Sequence, residues 1–263
     1  SHSNEMDCIH LVIVLSCLGV VMAMYLPNTS NRISRQAPTN TEEFPYRILV
    51  TSGNSQYFEV VCSGVIISKD YVLTSASRIK QILPEMTQIM TGPTYTVDPI
   101  NVESITTHPE FNESSYCDIA LIKVNTSFNF NSSINKTLIS YDWSDLSQPC
   151  ILTSWDEDKK VVYRQEVSVT QCGTSTSTEF CVTSNENITT SEINMGSPIV
   201  CNQKLFGIKT LGINKFTNVT KVSSWIDAVI STATTTDQTT SSPATTTITT
   251  TQSSTLTSGA NTT

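Results

Sequence analysis

Histidine is the side chain that most often carries protons or binds metals near neutral pH, and this 263-residue chain contains three. His2 and His10 lie in an N-terminal segment that we expect to be removed, which leaves His108 alone in the mature chain. One histidine cannot build a multi-histidine metal site, and it limits the acid–base chemistry that the chain could perform. We therefore expect no metal and no cofactor.

The eight cysteines form the second group of reactive side chains. Cys8 and Cys17 lie in the same N-terminal segment, and the other six show neither a C-x-x-C motif nor a metal-ligand spacing. An even number of cysteines in an exported domain indicates disulfides, although it leaves their pairing open. The six are Cys62, Cys117, Cys150, Cys172, Cys181 and Cys201.

Charge and glycine content exclude two classes of function. The formal charge of −8 argues against a nucleic-acid binder, which needs a basic face to neutralise phosphates. The nine glycines form no G-x-G-x-x-G motif, so nucleotide chemistry is not indicated. The charged run at residues 156–160 has two interpretations, a docking or calcium patch and a solvated loop. It lacks the regular oxygen-ligand spacing of calcium loops, which favours the solvated loop.

The N-terminus carries an apolar run from residue 9 to residue 23, which is shorter than the roughly 20 residues that span a bilayer. Small or apolar residues at positions 21–23 suit signal peptidase, so we predict a signal peptide over residues 1–23, with Met6 as a candidate start. Asp7 departs from the usual basic n-region. The prediction is a secreted, extracellular protein with no stable membrane insertion.

Asparagine sequons agree with secretion, although Asn and Thr are abundant enough here to produce them by chance in a cytosolic protein. The candidate N-glycosylation sites are Asn28, Asn112, Asn125, Asn131, Asn135, Asn187, Asn218 and Asn261.

Composition divides the rest of the chain into a short pro-segment at 24–32, a domain at 33–230 and a tail at 231–263. The tail has 22 Ser or Thr among 33 residues and one charge, Asp237. It has too little apolar surface to offset the entropy of folding, which predicts disorder. Thr clusters together with Pro243 favour an O-glycosylated, mucin-like stalk.

Apolar runs within the domain are short and rich in β-branched residues, and turn signals separate them. They cover residues 46–50, 58–67, 71–74, 119–124, 199–201 and 205–211. This pattern predicts an all-β barrel or sandwich. One amphipathic helix is predicted at the end of the domain, because apolar residues recur there with a period of 3.6. They are Val222, Trp225, Ile226, Val229 and Ile230.

Five segments, in this order, resemble segments of the chymotrypsin/trypsin family of serine proteases. They are VVCSGVII at 60–67, YVLTSA at 71–76, DIALIK at 118–123, GSPIVC at 196–201, and the stretch from Phe216-Thr217 to Trp225-Ile226. The resemblance covers about residues 33–230. It implies two six-stranded antiparallel β-barrels with a C-terminal α-helix and an active site between the barrels.

The resemblance places Ser77 at the position of the catalytic histidine, Asp118 at that of the aspartate and Met195 at that of the nucleophile. The mechanism needs a histidine to accept the serine proton, and a thioether has no proton to lose. His108 falls in the loop before Asp118, at the family's surface His-Pro turn. We therefore expect a degenerate triad without serine-protease activity.

Neighbouring positions also differ from the family. Ile193 replaces a glycine of the oxyanion hole, and a β-branched residue resists the positive φ that glycine adopts. Asn194 replaces the aspartate that receives the new N-terminal ammonium after activation. Arg32-Ile33 stands at the activation cleavage position, either as a retained cut site or as a chance basic residue.

The substrate cleft departs from the family as well. Thr189 occupies the position that sets primary specificity, so no acidic group awaits a lysine or arginine. Thr210-Leu211-Gly212 stands where the family has the Ser-Trp-Gly strand that pairs with substrate. The loop that forms one wall of the family's specificity pocket is largely deleted here, which argues against peptide binding in that cleft.

Two disulfides are implied by the resemblance, Cys150–Cys201 and Cys172–Cys181. Arg78 stands where the partner of Cys62 is usual, and elimination leaves Cys62 to pair with Cys117.

Three functions follow, in this order of preference. The first is a secreted, non-catalytic protease homologue that binds an extracellular protein, such as a protease or its substrate, and regulates proteolysis. The second is a structural or coating glycoprotein whose tail carries the function. The third is a serine-type endopeptidase with rearranged machinery. The sequence does not predict an oligomeric state.

Overall fold

The computed structural model describes residues 37–39, 43–54, 57–92, 95, 99–112, 117–172, 178–185, 187–188 and 190–240, with the backbone alone at 37–39 and 233–240. The predicted signal peptide, the pro-segment, Arg32-Ile33, Thr189, Asn28, Asn261 and residues 241–263 lie outside this part of the chain.

β-Strand is the main regular secondary structure of the described chain. The strands are β1 Ala37–Thr39, β2 Arg47–Asn54, β3 Tyr57–Ile66, β4 Tyr71–Thr74, β5 Thr87–Met90, β6 Ile100–Thr107, β7 Ala120–Val124, β8 Leu138–Ile139, β9 Cys150–Asp156, β10 Val161–Thr170, β11 Glu179–Thr183, β12 Pro198–Cys201, β13 Lys204–Lys209 and β14 Lys215–Asn218. The α-helices are α1 Ala76–Ile79 and α2 Val219–Thr240, and 3₁₀ turns cover Pro84–Met86, Trp143–Asp145 and Glu192–Asn194.

The first barrel is closed by six antiparallel strands in the order β2-β3-β4-β7-β6-β5. Its strands carry the β-branched runs of the sequence, and β4 is buried at all four residues. The apolar side chains fill the interior, where Ile48, Val72 and Ile122 are fully buried in one cluster. Burying such side chains contributes on the order of 1.5–3 kcal/mol each.

The second barrel closes through β9, β10, β11, β14, β13 and β12, because β9 pairs with β10 as well as with β12. Aromatic rings occupy its core, with Phe180 stacked on Phe216 at a centroid distance of 5.7 Å. A Cβ on Gly207 would lie 2.4 Å from the Phe180 ring, so this strand needs glycine there. Strand β1 extends the sheet beside β10, and β8 pairs with β13 in parallel.

A third apolar cluster contains side chains from both barrels. Leu49 comes from the first barrel, whereas Trp155 and Val162 come from the second. The ring of Tyr95 meets Trp155 edge to face at 4.9 Å. The all-β prediction, with two six-stranded antiparallel barrels and a C-terminal helix, is confirmed.

Helix α2 runs further than the amphipathic pattern indicated. It begins at Val219 and extends to Thr240, ten residues beyond the predicted end of the domain at residue 230. Residues 231–240 contain neither glycine nor proline, so nothing in their backbone chemistry stops the helix before Pro243. No helix in the described residues has the length and apolar character needed to cross a membrane.

Asn218 caps this helix, and that role is at odds with its prediction as a glycosylation site. Its Oδ1 accepts hydrogen bonds from the amide and the hydroxyl of Thr220, at 3.1 and 2.8 Å. The residue is only 4% exposed, so a glycan does not fit on the folded protein. The other sequons within the described residues are exposed: Asn112, Asn125, Asn131, Asn135 and Asn187.

Two of the three predicted disulfides are present, Cys150–Cys201 and Cys172–Cys181. The predicted Cys62–Cys117 bridge is wrong, because both residues are buried free thiols. Elimination assumed that every cysteine pairs. The Cys62 thiol instead lies 3.3 Å from the Thr74 hydroxyl inside the first barrel, and burial raises its pKa to about 12, which makes it unreactive.

We predict that the two disulfides contribute unequally to stability. Cys150 and Cys201 close a loop of 51 residues, whereas Cys172 and Cys181 close one of 9. Loop-closure entropy then gives about 4 kcal/mol for the first and about 2.5 kcal/mol for the second. Urea unfolding of the two double-alanine variants measures both values. A larger loss from the short loop would contradict the prediction.

Candidate functional site

A buried carboxylate lies at the centre of the site, between the two barrels. Asp118 precedes strand β7 and is 2% exposed. Its oxygens accept hydrogen bonds from the Ser75 hydroxyl at 2.9 and 3.0 Å, from the Ser77 amide at 2.7 Å, from the Ser77 hydroxyl at 2.9 Å and from the Thr210 hydroxyl at 2.7 Å. Each donor is neutral. The carboxylate is therefore held by hydroxyl and amide dipoles alone.

Ser77 lies in the first turn of the short helix α1, which brings both its amide and its hydroxyl to Asp118. The hydroxyl is also 2.9 Å from the Ser75 hydroxyl and 4.0 Å from the Met195 sulfur. The structure thus brings Ser77, Asp118 and Met195 together, as the resemblance implied. Neither the Ser77 hydroxyl nor the Met195 thioether is a general base of the kind that the imidazole provides in serine proteases.

The backbone before Met195 forms a 3₁₀ turn over Glu192–Asn194. The Met195 amide donates to the Glu192 carbonyl at 3.0 Å, so this N–H points back into the protein. Ile193 belongs to the turn and has no positive φ. In serine proteases the amide of the nucleophilic residue helps to stabilise the oxyanion. Here that amide is already hydrogen-bonded.

Strand β3 of the first barrel holds the same segment through Ser63. The Ser63 amide donates to the Met195 carbonyl at 2.9 Å, and its hydroxyl donates to the Ile193 carbonyl at 2.8 Å. The approach is close enough that a Cβ on Gly196 would meet the Ser63 carbonyl at 2.1 Å. Gly196 also has a φ of 81°, which favours glycine. Strand β3 therefore fixes this loop through two hydrogen bonds and one close backbone contact.

Asn194 pairs with the backbone of Trp155 like an extra strand residue. Its Oδ1 accepts from the Trp155 amide at 2.6 Å, and its Nδ2 donates to the Trp155 carbonyl at 2.9 Å. These are the neutral hydrogen bonds expected of an amide at this position. Ile33, which would carry the new N-terminus, lies outside the described residues.

Arg47 is a buried cation beside Asn194. It is 3% exposed, and its guanidinium donates to the Tyr95 hydroxyl at 2.6 Å, the Ser63 hydroxyl at 2.9 Å and the Asn194 amide oxygen at 3.4 Å. Its Nε has no partner. Within the described part of the chain, no carboxylate forms an ion pair with this guanidinium. The partners of Arg47 in the described residues are neutral dipoles, and a buried cation without an opposite charge costs stability.

A second buried cation, Lys209, lies in β13 next to Thr210. It is 2% exposed; its Nζ donates to the Gly212 carbonyl at 3.4 Å and lies 5.4 Å from the centre of the Phe216 ring. Burial lowers the pKa of this ammonium. Neither Arg47 nor Lys209 was predicted from the sequence. The sequence signal that could have indicated their burial is a charged residue inside an apolar strand run.

An ion pair crosses the site at its solvent side. Arg78, adjacent to Ser77, binds Glu192 with an N–O distance of 2.7 Å. Arg78 comes from the first-barrel side, and Glu192 begins the turn that leads to Met195. Both groups are partly solvated, so the pair adds little stability, but it spans the entrance.

The rim of the site carries two exposed apolar side chains. Leu211 is 53% exposed and Ile213 is 75% exposed, in the short turn between β13 and β14. Gly212, with a φ of 109°, and Asn214, with a φ of 57°, allow this tight turn. The Thr210 amide donates to the Lys215 carbonyl at 3.3 Å. The predicted short loop is therefore present.

Comparison with known proteins finds one matching family profile and several similar proteins. The profile of the Trypsin family matches residues 33–228. Cationic trypsin-3 of Rattus norvegicus is 23% identical over 250 residues, covering 84% of this chain and 98% of that protein. Trypsin of Sarcophaga bullata is 24% identical over 250 residues, covering 83% and 97%.

Two solved structures share the fold. The scabies mite inactivated protease paralogue S-I1 gives a TM-score of 0.63 at 17% identity, covering 75% of this chain and 99% of its own. Neuropsin, a serine protease of mouse brain, gives 0.61 at 20% identity, covering 74% and 98%. At these identities the likeness concerns the fold alone.

We predict that Asp118 is a structural acceptor for its neighbours. Replacing it with alanine leaves the Ser77 amide and three hydroxyls without their acceptor, which should cost about 2–4 kcal/mol of the free energy of unfolding. Asp118→Asn should cost less than about 1 kcal/mol, because the hydroxyls can rotate to accept from the new amide. Urea unfolding measures both variants. Equal losses from alanine and asparagine would contradict this role.

We predict that Lys209→Met stabilises the protein in a pH-dependent manner. Because burial lowers the pKa of Lys209, the unfolded chain binds more protons between that lowered pKa and the ordinary value of 10.5, and stability rises with pH across this window. The gain from methionine should be largest below the window and shrink towards about pH 10.5. Urea unfolding at several pH values tests this. The exposed Lys221 provides the control variant Lys221→Met; a pH-dependent gain of the same size there would contradict the role of burial.

Proposed function

The chain belongs to the trypsin family, and we propose that it acts without hydrolysing peptide bonds, as a secreted homologue that binds an extracellular protein and regulates proteolysis. The partner class that we propose is a protease or a protein substrate of one. The fold supplies a rigid two-barrel scaffold, and the site between the barrels supplies the argument against catalysis.

The hydrogen bonding of Asp118 carries this proposal. Catalysis in this family needs an imidazole between the carboxylate and the nucleophile, whereas here the Ser77 hydroxyl binds Asp118 directly. The oxyanion site supports the same view, because the Met195 amide is committed to the Glu192 carbonyl. Base, nucleophile and oxyanion donor are thus all replaced in one place.

The relatives are consistent with both active and inactive members of the fold. The two relatives described above are named as trypsins, and one solved structure of the same fold is named as an inactivated protease paralogue. The fold can therefore persist in a protein described as inactivated.

Binding to a partner is supported by the rim of the site. Leu211 and Ile213 place two large apolar side chains in solvent on a short turn beside Thr210. Exposed apolar side chains at the edge of a cleft are typical of protein-binding surfaces. Secretion is supported by the two disulfides and by the exposed sequons, in addition to the N-terminal apolar run.

We predict that the purified protein neither hydrolyses a broad peptide mixture nor reacts with a serine-directed fluorophosphonate probe. Both the intact chain and chain cut after Arg32 are assayed, with bovine trypsin as the positive control. Labelling or turnover that disappears in Ser77→Ala or Asp118→Asn would establish a rearranged enzyme and overturn the proposal.

Partner binding is tested separately by affinity capture from the native secreted fluid. We compare the full chain, a chain ending at Thr240 so that α2 stays whole, Leu211→Ser/Ile213→Ser, and the control Leu138→Ser, whose side chain is 59% exposed elsewhere. The proposal expects one discrete protein, kept without the tail and with Leu138→Ser, and lost with the rim variant. Capture that depends on the tail alone would favour the coating-glycoprotein function.

A further inference from the structure

A histidine, a glutamate and a cysteine converge beside the loop that leads to Asp118. One ligand atom each from His108, Glu110 and Cys117 lies within 4.8 Å of the other two. His108 and Cys117 are buried, whereas Glu110 is exposed, so the group opens to solvent on one side. The Cys117 sulfur is 3.7 Å from a Glu110 carboxylate oxygen. None of the three takes part in the hydrogen bonds of the Asp118 carboxylate.

We propose that His108, Glu110 and Cys117 form a binding site for a divalent transition-metal ion of the zinc class. Imidazole, thiolate and carboxylate are the protein ligands that zinc prefers. With bond lengths of about 2.3 Å to sulfur and about 2.1 Å to oxygen, a tetrahedral ion sets its sulfur and oxygen ligands about 3.6 Å apart. The observed sulfur–oxygen separation already matches this value. Water completes the coordination on the solvent side.

The backbone holds the histidine in place. The His108 amide donates to the Ile119 carbonyl at 3.1 Å, and the Phe111 amide donates to the His108 carbonyl at 2.9 Å. The Glu110 amide donates to His108 Nδ1 at 3.2 Å, which places a lone pair on that nitrogen. A metal ion at Nδ1 would take the place of the Glu110 amide hydrogen.

Cys117 has a backbone conformation that is uncommon for cysteine. Cys117 has a φ of 52°, the left-handed region that favours glycine and asparagine. Residues held in this region against their preference cluster at functional sites. Its thiol is free, and it contacts a carboxylate.

Metal binding at this site releases a proton. The sulfur–metal bond forms as the thiol S–H bond breaks and its proton passes to solvent, while the imidazole and the carboxylate bind through their lone pairs. No electron is transferred.

The test uses the untagged, full-length chain, stripped of metal with a chelator, and Co²⁺ as the probe. We expect one equivalent to bind with a thiolate-to-cobalt charge-transfer band and the visible bands of a tetrahedral ion, and Zn²⁺ to remove both. Cys117→Ser should abolish the charge-transfer band. His108→Gln and Glu110→Gln should each weaken binding at least tenfold.

Cys62→Ser is the matched control, because Cys62 is the other buried free thiol among the described residues and does not belong to this cluster; its cobalt spectrum should match that of the unchanged protein. Absence of the charge-transfer band in the unchanged protein, or its loss in Cys62→Ser instead of Cys117→Ser, would overturn the proposal. If Cys117→Ser fails to fold by circular dichroism, the His108 and Glu110 variants decide the question. The site is independent of the function proposed above.

Discussion

The arrangement between the barrels depends on one buried negative charge and the neutral groups that hold it. Asp118 ends the approach to β7, Ser75 and Ser77 lie at the start of α1, and Thr210 follows β13. A carboxylate this far from water is tolerated only when its lone pairs are filled. Here hydroxyls fill them, and these hydroxyls come from both barrels. The Asp118 carboxylate therefore links the two barrels through hydrogen bonds.

The two buried cations make the same interface electrostatically unusual. Arg47 and Lys209 are each held by neutral acceptors and an aromatic ring, instead of by a carboxylate. Asn194, next to Arg47, is also neutral, so the segment before Met195 is fixed by amide pairing with Trp155 and by Ser63. Dipoles whose positions are set by β-strands replace ion pairs here.

The fold could be predicted from the sequence because its signals are local. Short β-branched runs and five ordered segments indicated the two barrels, and the resemblance placed Ser77, Asp118 and Met195 together. The contacts that could not be predicted join residues far apart in the sequence. Arg47 contacts Asn194 across 147 residues, and Thr210 contacts Asp118 across 92. No local pattern shows such burial. The Cys62–Cys117 bridge was wrongly predicted for the same reason, because the barrel interior sets the direction of the Cys62 side chain. The extent of α2 was not predicted, because composition alone defined the tail.

The burial of Asn218 determines when a glycan can be attached to it. Its side chain lies beneath the first turn of α2, where an oligosaccharide-transferring enzyme has no access, although the sequence Asn218-Val219-Thr220 carries the acceptor motif. Transfer can therefore take place only while this region is still unfolded. Sugar found at Asn218 would mark a molecule that was modified before its terminal helix was capped. The occupancy of this one residue thus records which came first, modification or folding.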